Sequence, residues 1–149
     1  MQRLLAVLAS ARRVAEIGTA FGEGAAAMAT SAREVVTVEL DAARVGEARR
    51  RLAGFPNVEL LQGDWRELLP PRAPFDLVFA DGGGAKQPEN LDLLIELAGP
   101  CGLLVCDDLT PGLPGPDPVR EAWLGNPRLA AVEILTTRQT AAIVAGRLP

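Results

Sequence analysis

The sequence predicts an α/β fold: a Rossmann-like, doubly wound and mostly parallel seven-stranded sheet with an antiparallel C-terminal strand. Short apolar segments alternate with segments whose apolar residues recur at helical spacing, which is typical of parallel strands covered by helices on both faces. Near the C-terminus, two apolar segments follow each other without a helix between them. These last strands are therefore expected to form an antiparallel hairpin at one edge of the sheet.

In the first half of the chain, helical periodicity and turn residues separate three strands. Leucines at helical spacing predict a helix over residues 2–12, and an alanine-rich run predicts another over 22–30. Asp41 is a typical N-cap residue, so a third helix is expected to run from there to about residue 53. The apolar runs between these helices predict the first three strands, at residues 14–17, 34–39 and 58–61.

In the second half, proline and glycine set most of the boundaries. A short helix is expected at 65–69, before two prolines, and the run 110–118 is too rich in proline and glycine for anything but a loop. Helical spacing of apolar residues predicts two longer helices, at 88–98 and 119–124. The remaining apolar runs predict four strands, at 75–80, 103–106, 132–136 and 140–144. All 149 residues are expected to form one domain.

Composition narrows the chemistry that the chain can perform. It contains no histidine and no tyrosine, and its only lysine is Lys86. A base or nucleophile must therefore be a carboxylate, Lys86, a cysteine or a hydroxyl. Cys101 and Cys106 lie in one apolar run and are expected to be buried strand residues. Lys86 can act as a base only if its loop folds back over the site; otherwise it is a solvated loop lysine.

Length, charge and hydropathy predict a soluble, cytoplasmic protein with no membrane association. No stretch approaches the roughly 18 apolar residues that a membrane span needs, and the N-terminal segment is too short and wrongly flanked for a secretory signal. The net charge of −4 argues against nucleic acid as a partner. The N-terminal helix has an apolar stripe and only one small domain to cover it, so a homodimer is expected.

In an open parallel sheet, ligands bind beyond the carboxyl ends of the strands, at the point where the strand order reverses. Gly18 and Gly22 follow the first strand, where they allow close approach of a ligand to the backbone and to the next helix. The NAD fingerprint GxGxxG is not met, because position 20 is alanine. The strand ends after these glycines all carry acids, at Glu39, Asp64, Asp81, Asp107 and Asp108.

Two of these acids predict a nucleoside site. Glu39, 21 residues after Gly18, can accept both ribose hydroxyls; the alternative is an exposed acid beside Asp41. Asp64 can accept from the exocyclic amine of adenine; the alternative is a plain helix cap. Trp65 can lie against adenine or pack in the core.

Taken together, residues 14–146 resemble the class I S-adenosylmethionine-dependent methyltransferases. VAEIGTAFGEG, VVTVELD and LLQGDW resemble the family's first, second and adenine-side motifs, and FDLVFADGG and LLVCDDL resemble its fourth and fifth strands. The resemblance implies S-adenosylmethionine as cofactor. It implies that the methionine end is lined by Glu16, Gly18, Thr19 and Gly22, with Asp81 alongside, the ribose by Glu39, and the adenine by Asp64 and Trp65.

Within that class, the sequence is most similar to the metal-dependent small-molecule O-methyltransferases of the catechol and caffeoyl-CoA kind. Those enzymes hold a divalent cation with an Asp after the fourth strand and Asp-Asn after the fifth, and the matching residues here are Asp81, Asp107 and Asp108. The likeness implies Mg²⁺ or another divalent cation, a small-molecule hydroxyl as acceptor, and Asp81 and Lys86 as catalytic residues. Asp108 replaces the usual asparagine, and only about a dozen residues precede the first motif, so the N-terminus is shortened.

Two other function classes remain open on the sequence. A non-catalytic S-adenosylmethionine-binding module or regulatory subunit is favoured by the short segment before the first motif. A nucleotide-dependent oxidoreductase is disfavoured by the failed glycine spacing.

Overall fold

Seven strands form one sheet in the computed structural model, which describes residues 1–82, 84–112 and 114–149. In chain order the strands are β1 (Arg13–Ile17), β2 (Glu34–Glu39), β3 (Val58–Gln62), β4 (Phe75–Ala80), β5 (Ala98–Leu109), β6 (Leu129–Leu135) and β7 (Ala141–Arg147). Their order across the sheet is β3-β2-β1-β4-β5-β7-β6. Strands β1 to β5 pair in parallel, and β7 is antiparallel to both of its neighbours. The predicted fold class is confirmed.

Helices cover both faces of the sheet. In the described residues they are α1 (Gln2–Leu8), α2 (Glu23–Ala29), α3 (Ala42–Leu52), α4 (Trp65–Leu68), α5 (Leu91–Leu97) and α6 (Pro118–Gly125), with 3₁₀ turns at Pro70–Arg72 and Pro88–Asn90. One core layer joins α1, α2 and α3 to the sheet, and a second layer joins α4, α5 and α6 to its other face. No helix in these described ranges is long and apolar enough to cross a membrane.

The two core layers follow from the alternation of side chains along each buried strand. Val14 and Val35 point into the layer of α1 to α3, whereas their neighbours Ala15 and Val36 point into the opposite layer. Apolar residues at successive positions therefore serve both faces, as expected for a sheet that is buried on both sides.

In α1, Leu5 is buried. The self-association that the apolar stripe of α1 suggests stays a prediction.

The strand order reverses between β1 and β4, which brings the carboxyl ends of these two strands together. The backbone N–H groups of Asp81 and Gly82 both donate to the carbonyl of Ile17, at 3.1 and 2.9 Å. The segments that leave β1 and β4 therefore begin side by side. This is the position where open α/β sheets bind their ligands.

Several predicted boundaries differ from the structure. The predicted strand 103–106 is the centre of the longer β5, because β5 lies between β4 and β7 and pairs with both. The helix predicted at 88–98 begins with a 3₁₀ turn and ends at Leu97, since Ala98 pairs with Phe75 in the sheet. The N-terminal helix ends at Leu8, not at residue 12, because the chain turns at Ala11 (φ 58°) to enter β1.

The two cysteines occupy different environments. Cys106 is buried in the middle of the sheet as predicted, but Cys101 is exposed, so the prediction that both are buried is wrong. Cys101 also has φ 61°, in the left-handed region that costs a residue with a Cβ about 1–2 kcal/mol. The turn is tight, since a Cβ on the next residue, Gly102, would lie 2.8 Å from the Gly99 carbonyl oxygen.

Cys101→Gly is expected to raise the free energy of unfolding by about 1 kcal/mol, because glycine reaches this backbone conformation without the steric cost of a Cβ. Urea unfolding measures the change. Cys101→Ala is the matched control, since it removes the exposed thiol and keeps the Cβ. Equal stability of the two variants would show that the left-handed backbone at Cys101 carries no cost.

Candidate cofactor and acceptor site

The loop between β1 and α2 is a sharp turn built on glycine. The N–H groups of Gly18 and Thr19 donate to the Val38 carbonyl, at 3.0 and 3.2 Å, and the Gly22 N–H donates to the Thr19 carbonyl at 2.8 Å. Gly18 and Gly22 have φ 93° and 83°, which side chains rarely allow. The loop therefore turns sharply at the end of β1 and leads directly into the first turn of α2.

Gly18 is also required by a contact that the sequence did not predict. A Cβ on Gly18 would lie 2.7 Å from the Cα and from the N of Gly82, which follows β4. The two loops pass each other backbone to backbone where the strand order reverses. Only the run of glycines after Asp81 hinted at this contact.

Glu39, the last residue of β2, ties the glycine loop to the start of α3. Its side chain is buried, and its carboxylate accepts from the N–H of Ala20 and from the N–H of Asp41, both at 2.9 Å. Glu39 is therefore not an exposed acid beside Asp41, which was the alternative interpretation. Each carboxylate oxygen can accept a further hydrogen bond, so the group can still receive ligand hydroxyls.

A cleft of about 390 Å³ lies beyond the ends of β1, β2 and β3. It combines apolar walls with carboxylates, which suits a flat base attached to a hydroxylated sugar. Its lining residues are Ile17, Gly18, Val38, Glu39, Leu40, Gly63, Asp64, Trp65 and Arg66.

Asp64 and Trp65 line this cleft and also have structural roles. Asp64 caps α4 by accepting from the Arg66 N–H at 2.9 Å, and it pairs with the Arg66 guanidinium at 2.8 Å. These hydrogen bonds to Arg66 hold the pKa of Asp64 below its usual value. Trp65 is 5% exposed and packs in the core layer of α4 to α6. The capping and packing alternatives therefore hold, and a role toward adenine is compatible with both.

Beneath the glycine loop lies a buried chain of polar groups. Thr37 donates to the Glu16 carboxylate at 2.5 Å, and the Thr19 and Thr37 hydroxyls are 2.5 Å apart. Glu16 is 1% exposed, and burial raises its pKa to about 8; the negative charges of Asp81 and Glu39 act in the same direction. The sequence analysis missed Thr37, whose signal was a hydroxyl within the apolar run of β2.

A second cleft, of about 320 Å³, lies on the other side of the glycine loop and is lined by Thr19, Ala20, Phe21, Glu23, Gly24 and Asp81. Burial raises the pKa of Asp81 to about 6, and the negative charges of Asp108 and Asp107 add to the effect. The positive charge of Lys86 opposes it. Asp81 therefore titrates close to neutral pH at the mouth of this cleft.

Lys86 lies over the carboxyl end of β5. Its ammonium donates to the carbonyl oxygens of Asp107 and Asp108, at 2.9 and 3.5 Å. The segment after β4 has thus folded back, so Lys86 is not a solvated loop lysine. Its backbone carbonyl accepts from the indole N–H of Trp123 at 3.0 Å, a partner that the sequence analysis did not identify.

The predicted cation site of Asp81, Asp107 and Asp108 is not assembled. Among the residues that the structure describes, no group of three His, Cys, Asp or Glu side chains is placed to hold a metal ion. The end of β5 is irregular, since its pairing with β7 shifts register between Cys106 and Leu109 and Asp108 has φ 57°. Asp107 is buried there and Asp108 is exposed, so the two carboxylates do not converge. Burial raises the pKa of the Cys106 thiol to about 12.

Comparison with known proteins identifies the family. A family model described as a methyltransferase domain matches residues 14–98, which is more than half of the chain. The chain belongs to the methyltransferase domain family. The matched range contains the glycine loop, Glu39, Asp64 and Asp81, so the residues that line both clefts lie inside it.

The relatives agree on the fold and differ in what they act on. The chain is 38% identical over 89 residues to a protein-L-isoaspartate O-methyltransferase of Rhodopseudomonas palustris (strain HaA2), covering 58% of this chain and about a third (36%) of that relative. A cofactor-bound structure from MTB superimposes with a TM-score of 0.84 at 29% identity, covering 99% of this chain and 78% of the other. The O-methyltransferase TomG of Streptomyces achromogenes, involved in tomaymycin synthesis and solved with SAM, gives a TM-score of 0.77 at 26% identity, with 99% and 78% covered.

The buried Glu16 makes stability depend on pH. Since its folded-state pKa is raised from 4.5 to about 8, the folded protein keeps a proton that the unfolded chain releases. The free energy of unfolding is therefore expected to fall as pH rises from about 5 to about 8. Glu16→Gln cannot ionise and should flatten this decline in thermal melts; the smaller contribution of Asp81 between about pH 4 and 6 should remain.

Glu34→Gln is the matched control, because Glu34 begins the neighbouring strand β2 and forms a partly exposed ion pair with Arg13. This variant should keep the decline of the wild type. A decline in Glu16→Gln as steep as in the wild type would mean that Glu16 is already ionised in the folded protein.

Proposed function

We propose that this chain binds S-adenosylmethionine along the carboxyl edge of its sheet and transfers the methyl group to a hydroxyl of a small molecule. The observation that carries the proposal is the cleft beyond β1, β2 and β3, in which the Glu39 carboxylate adjoins apolar walls and the glycine loop. Membership of the methyltransferase domain family and the likeness to the SAM-bound TomG support it.

The residues present fit the cofactor along its whole length. Glu39 would accept the ribose hydroxyls, and Asp64 with Trp65 would hold the adenine. The methionine end would lie along the glycine loop, toward the second cleft. The residues assigned to that end are Glu16, Gly18, Thr19, Gly22 and Asp81.

When bound, S-adenosylmethionine supplies an electrophilic methyl group for direct displacement by the acceptor oxygen. Asp81, whose pKa is about 6, is mostly ionised at neutral pH and can take the proton of an acceptor hydroxyl. The Lys86 ammonium places a positive charge near Asp81, which favours the deprotonated oxygen. The rest of the chain's contribution is to align acceptor and cofactor.

The charges at this edge favour a neutral acceptor. The negative charges of Asp107 and Asp108 act on Asp81 and are opposed by a single lysine, so a carboxylate acceptor would meet net negative charge. A hydroxyl carries no such penalty. The second candidate is a protein carboxyl group, because the curated relatives are named protein-L-isoaspartate O-methyltransferases and match the same part of the chain.

A divalent cation forms no part of the proposed reaction, because the three aspartates do not converge on one point. Asp81 is instead proposed to take the proton of the acceptor hydroxyl. An arm with EDTA in the activity assay tests this choice directly, since a cation-dependent reaction stops with EDTA and returns with Mg²⁺.

Calorimetry is expected to show S-adenosylmethionine binding with a dissociation constant on the order of micromolar. Glu39→Ala should weaken binding by about 1.5–3 kcal/mol, through the loss of charged hydrogen bonds. Glu34→Ala is the matched control, because it removes the same side chain from the other end of β2 and should leave the affinity unchanged. Folded wild type that gives no heat with S-adenosylmethionine or S-adenosylhomocysteine would overturn the proposal.

A turnover assay with catechols and with isoaspartyl peptides is expected to show methyl transfer to the catechols only. Asp81→Asn should reduce turnover by about 100-fold, since it removes the proton acceptor. Asp92→Asn, an exposed acid on α5 away from this edge, should leave it unchanged.

The same assay separates the alternatives. Methylated isoaspartyl peptide would favour the carboxyl acceptor. Cofactor binding without turnover on any acceptor would favour a non-catalytic module. Stabilisation by NADH and not by S-adenosylmethionine would favour an oxidoreductase.

A further inference from the structure

Residues 84–87, which precede the 3₁₀ turn Pro88–Asn90, are anchored at several points. The Ala85 N–H donates to the Gly82 carbonyl at 3.0 Å, and the Ala85 side chain is fully buried. The Gly84 carbonyl accepts from the Gln87 N–H at 3.0 Å and from the Asn90 side-chain amide at 3.1 Å. A segment held in this way has a defined conformation, so the direction of Lys86 is defined with it.

Trp123 adds a contact from a different part of the chain. It lies on α6, 37 residues after Lys86, and its side chain is fully buried in the core layer of α4 to α6. A buried indole N–H needs a hydrogen-bond acceptor, and here the acceptor is the backbone carbonyl of Lys86. The helix α6 thus holds the Lys86 backbone through this hydrogen bond.

The side chain of Lys86 is held by a different element. Its ammonium donates to the Asp107 carbonyl on β5, and its charge acts on Asp81 at the end of β4. Lys86 is therefore fixed by its backbone to α6 and by its ammonium to β5. Because the indole contact fixes the origin of the side chain, moving the carbonyl would move the ammonium as well.

We propose that Trp123 is a positioning residue, whose indole N–H fixes the Lys86 carbonyl so that the only lysine of the chain keeps its ammonium on the Asp107 carbonyl at the end of β5. The contribution of Trp123 to turnover rests on the proposed function, in which the positive charge of Lys86 favours the deprotonated acceptor. Displacing a charged group by about 1 Å can cost on the order of 100-fold in rate. Trp123 acts entirely through Lys86 and touches neither acceptor nor cofactor.

The test compares Trp123→Phe, which keeps an aromatic ring and loses the N–H, with the wild type. Since Lys86 is the only lysine, protein labelled with ¹³C,¹⁵N-lysine gives one lysine side-chain spectrum. The wild type should show an ammonium N–H signal that its hydrogen bond protects from solvent exchange. Trp123→Phe should lose this signal, bind S-adenosylmethionine with unchanged affinity, and lower kcat by about 10- to 100-fold.

Two further variants separate positioning from simple loss of core packing. Leu94→Ala opens the same core layer without touching the Lys86 hydrogen bonds, so it should lower the melting temperature and keep the lysine signal. In a Lys86→Met background, adding Trp123→Phe should lower kcat no further, because a residue that acts through Lys86 has nothing left to position.

A lysine signal that survives in folded Trp123→Phe would overturn the proposal, and so would an equal loss of kcat with and without Lys86. If Trp123→Phe does not fold, rapid solvent exchange of the Trp123 indole N–H in the wild type would overturn it, since a closed hydrogen bond exchanges slowly. Loss of the lysine signal in Trp123→Phe, with no methyl transfer by the wild type, would support the positioning role and count against the proposed function.

Discussion

The backbone contact between Gly18 and Gly82 is the constraint on which the rest of this edge depends. The loops that leave β1 and β4 meet where the strand order reverses, and no side chain fits between them. Because both loops lie close to the sheet, the clefts can form on either side of the glycine loop. The hydrogen bond from Ala20 to Glu39 then holds the loop against β2, so one carboxylate serves both the architecture and the wall of the cleft.

The electrostatics of the edge follow mainly from the burial of acids near that contact. Glu16 and Asp81 both have raised pKa values, mainly because burial disfavours their charged forms. Such groups ionise more readily when a cation is bound nearby, which suits a ligand with a sulfonium and an ammonium group. Lys86 supplies a positive charge within the same set, and it contacts β5 through its ammonium and α6 through its backbone carbonyl.

The structural roles of several site residues explain why single motifs are weak evidence of function. Asp64 caps a helix, Trp65 packs in the core, and Glu39 binds backbone N–H groups, yet all three line one cleft. A cap or a core residue at a strand end is thus placed both to stabilise the fold and to face a ligand. The combination of such residues on neighbouring strand ends, and not any one of them, indicates a site.

The sequence alone determined the order of helices and strands and the residues at the strand ends, because periodicity and turn chemistry are local properties. Glu39, Asp64 and Asp81 were assigned to one edge since parallel strands align their carboxyl ends there. The tertiary structure decided what depends on distant partners: the Gly18–Gly82 contact, the buried link from Thr37 to Glu16, and the hold of Trp123 on Lys86. It also decided that Asp107 is buried and Asp108 exposed, because β5 shifts register against β7 between Cys106 and Leu109, which no local pattern encodes.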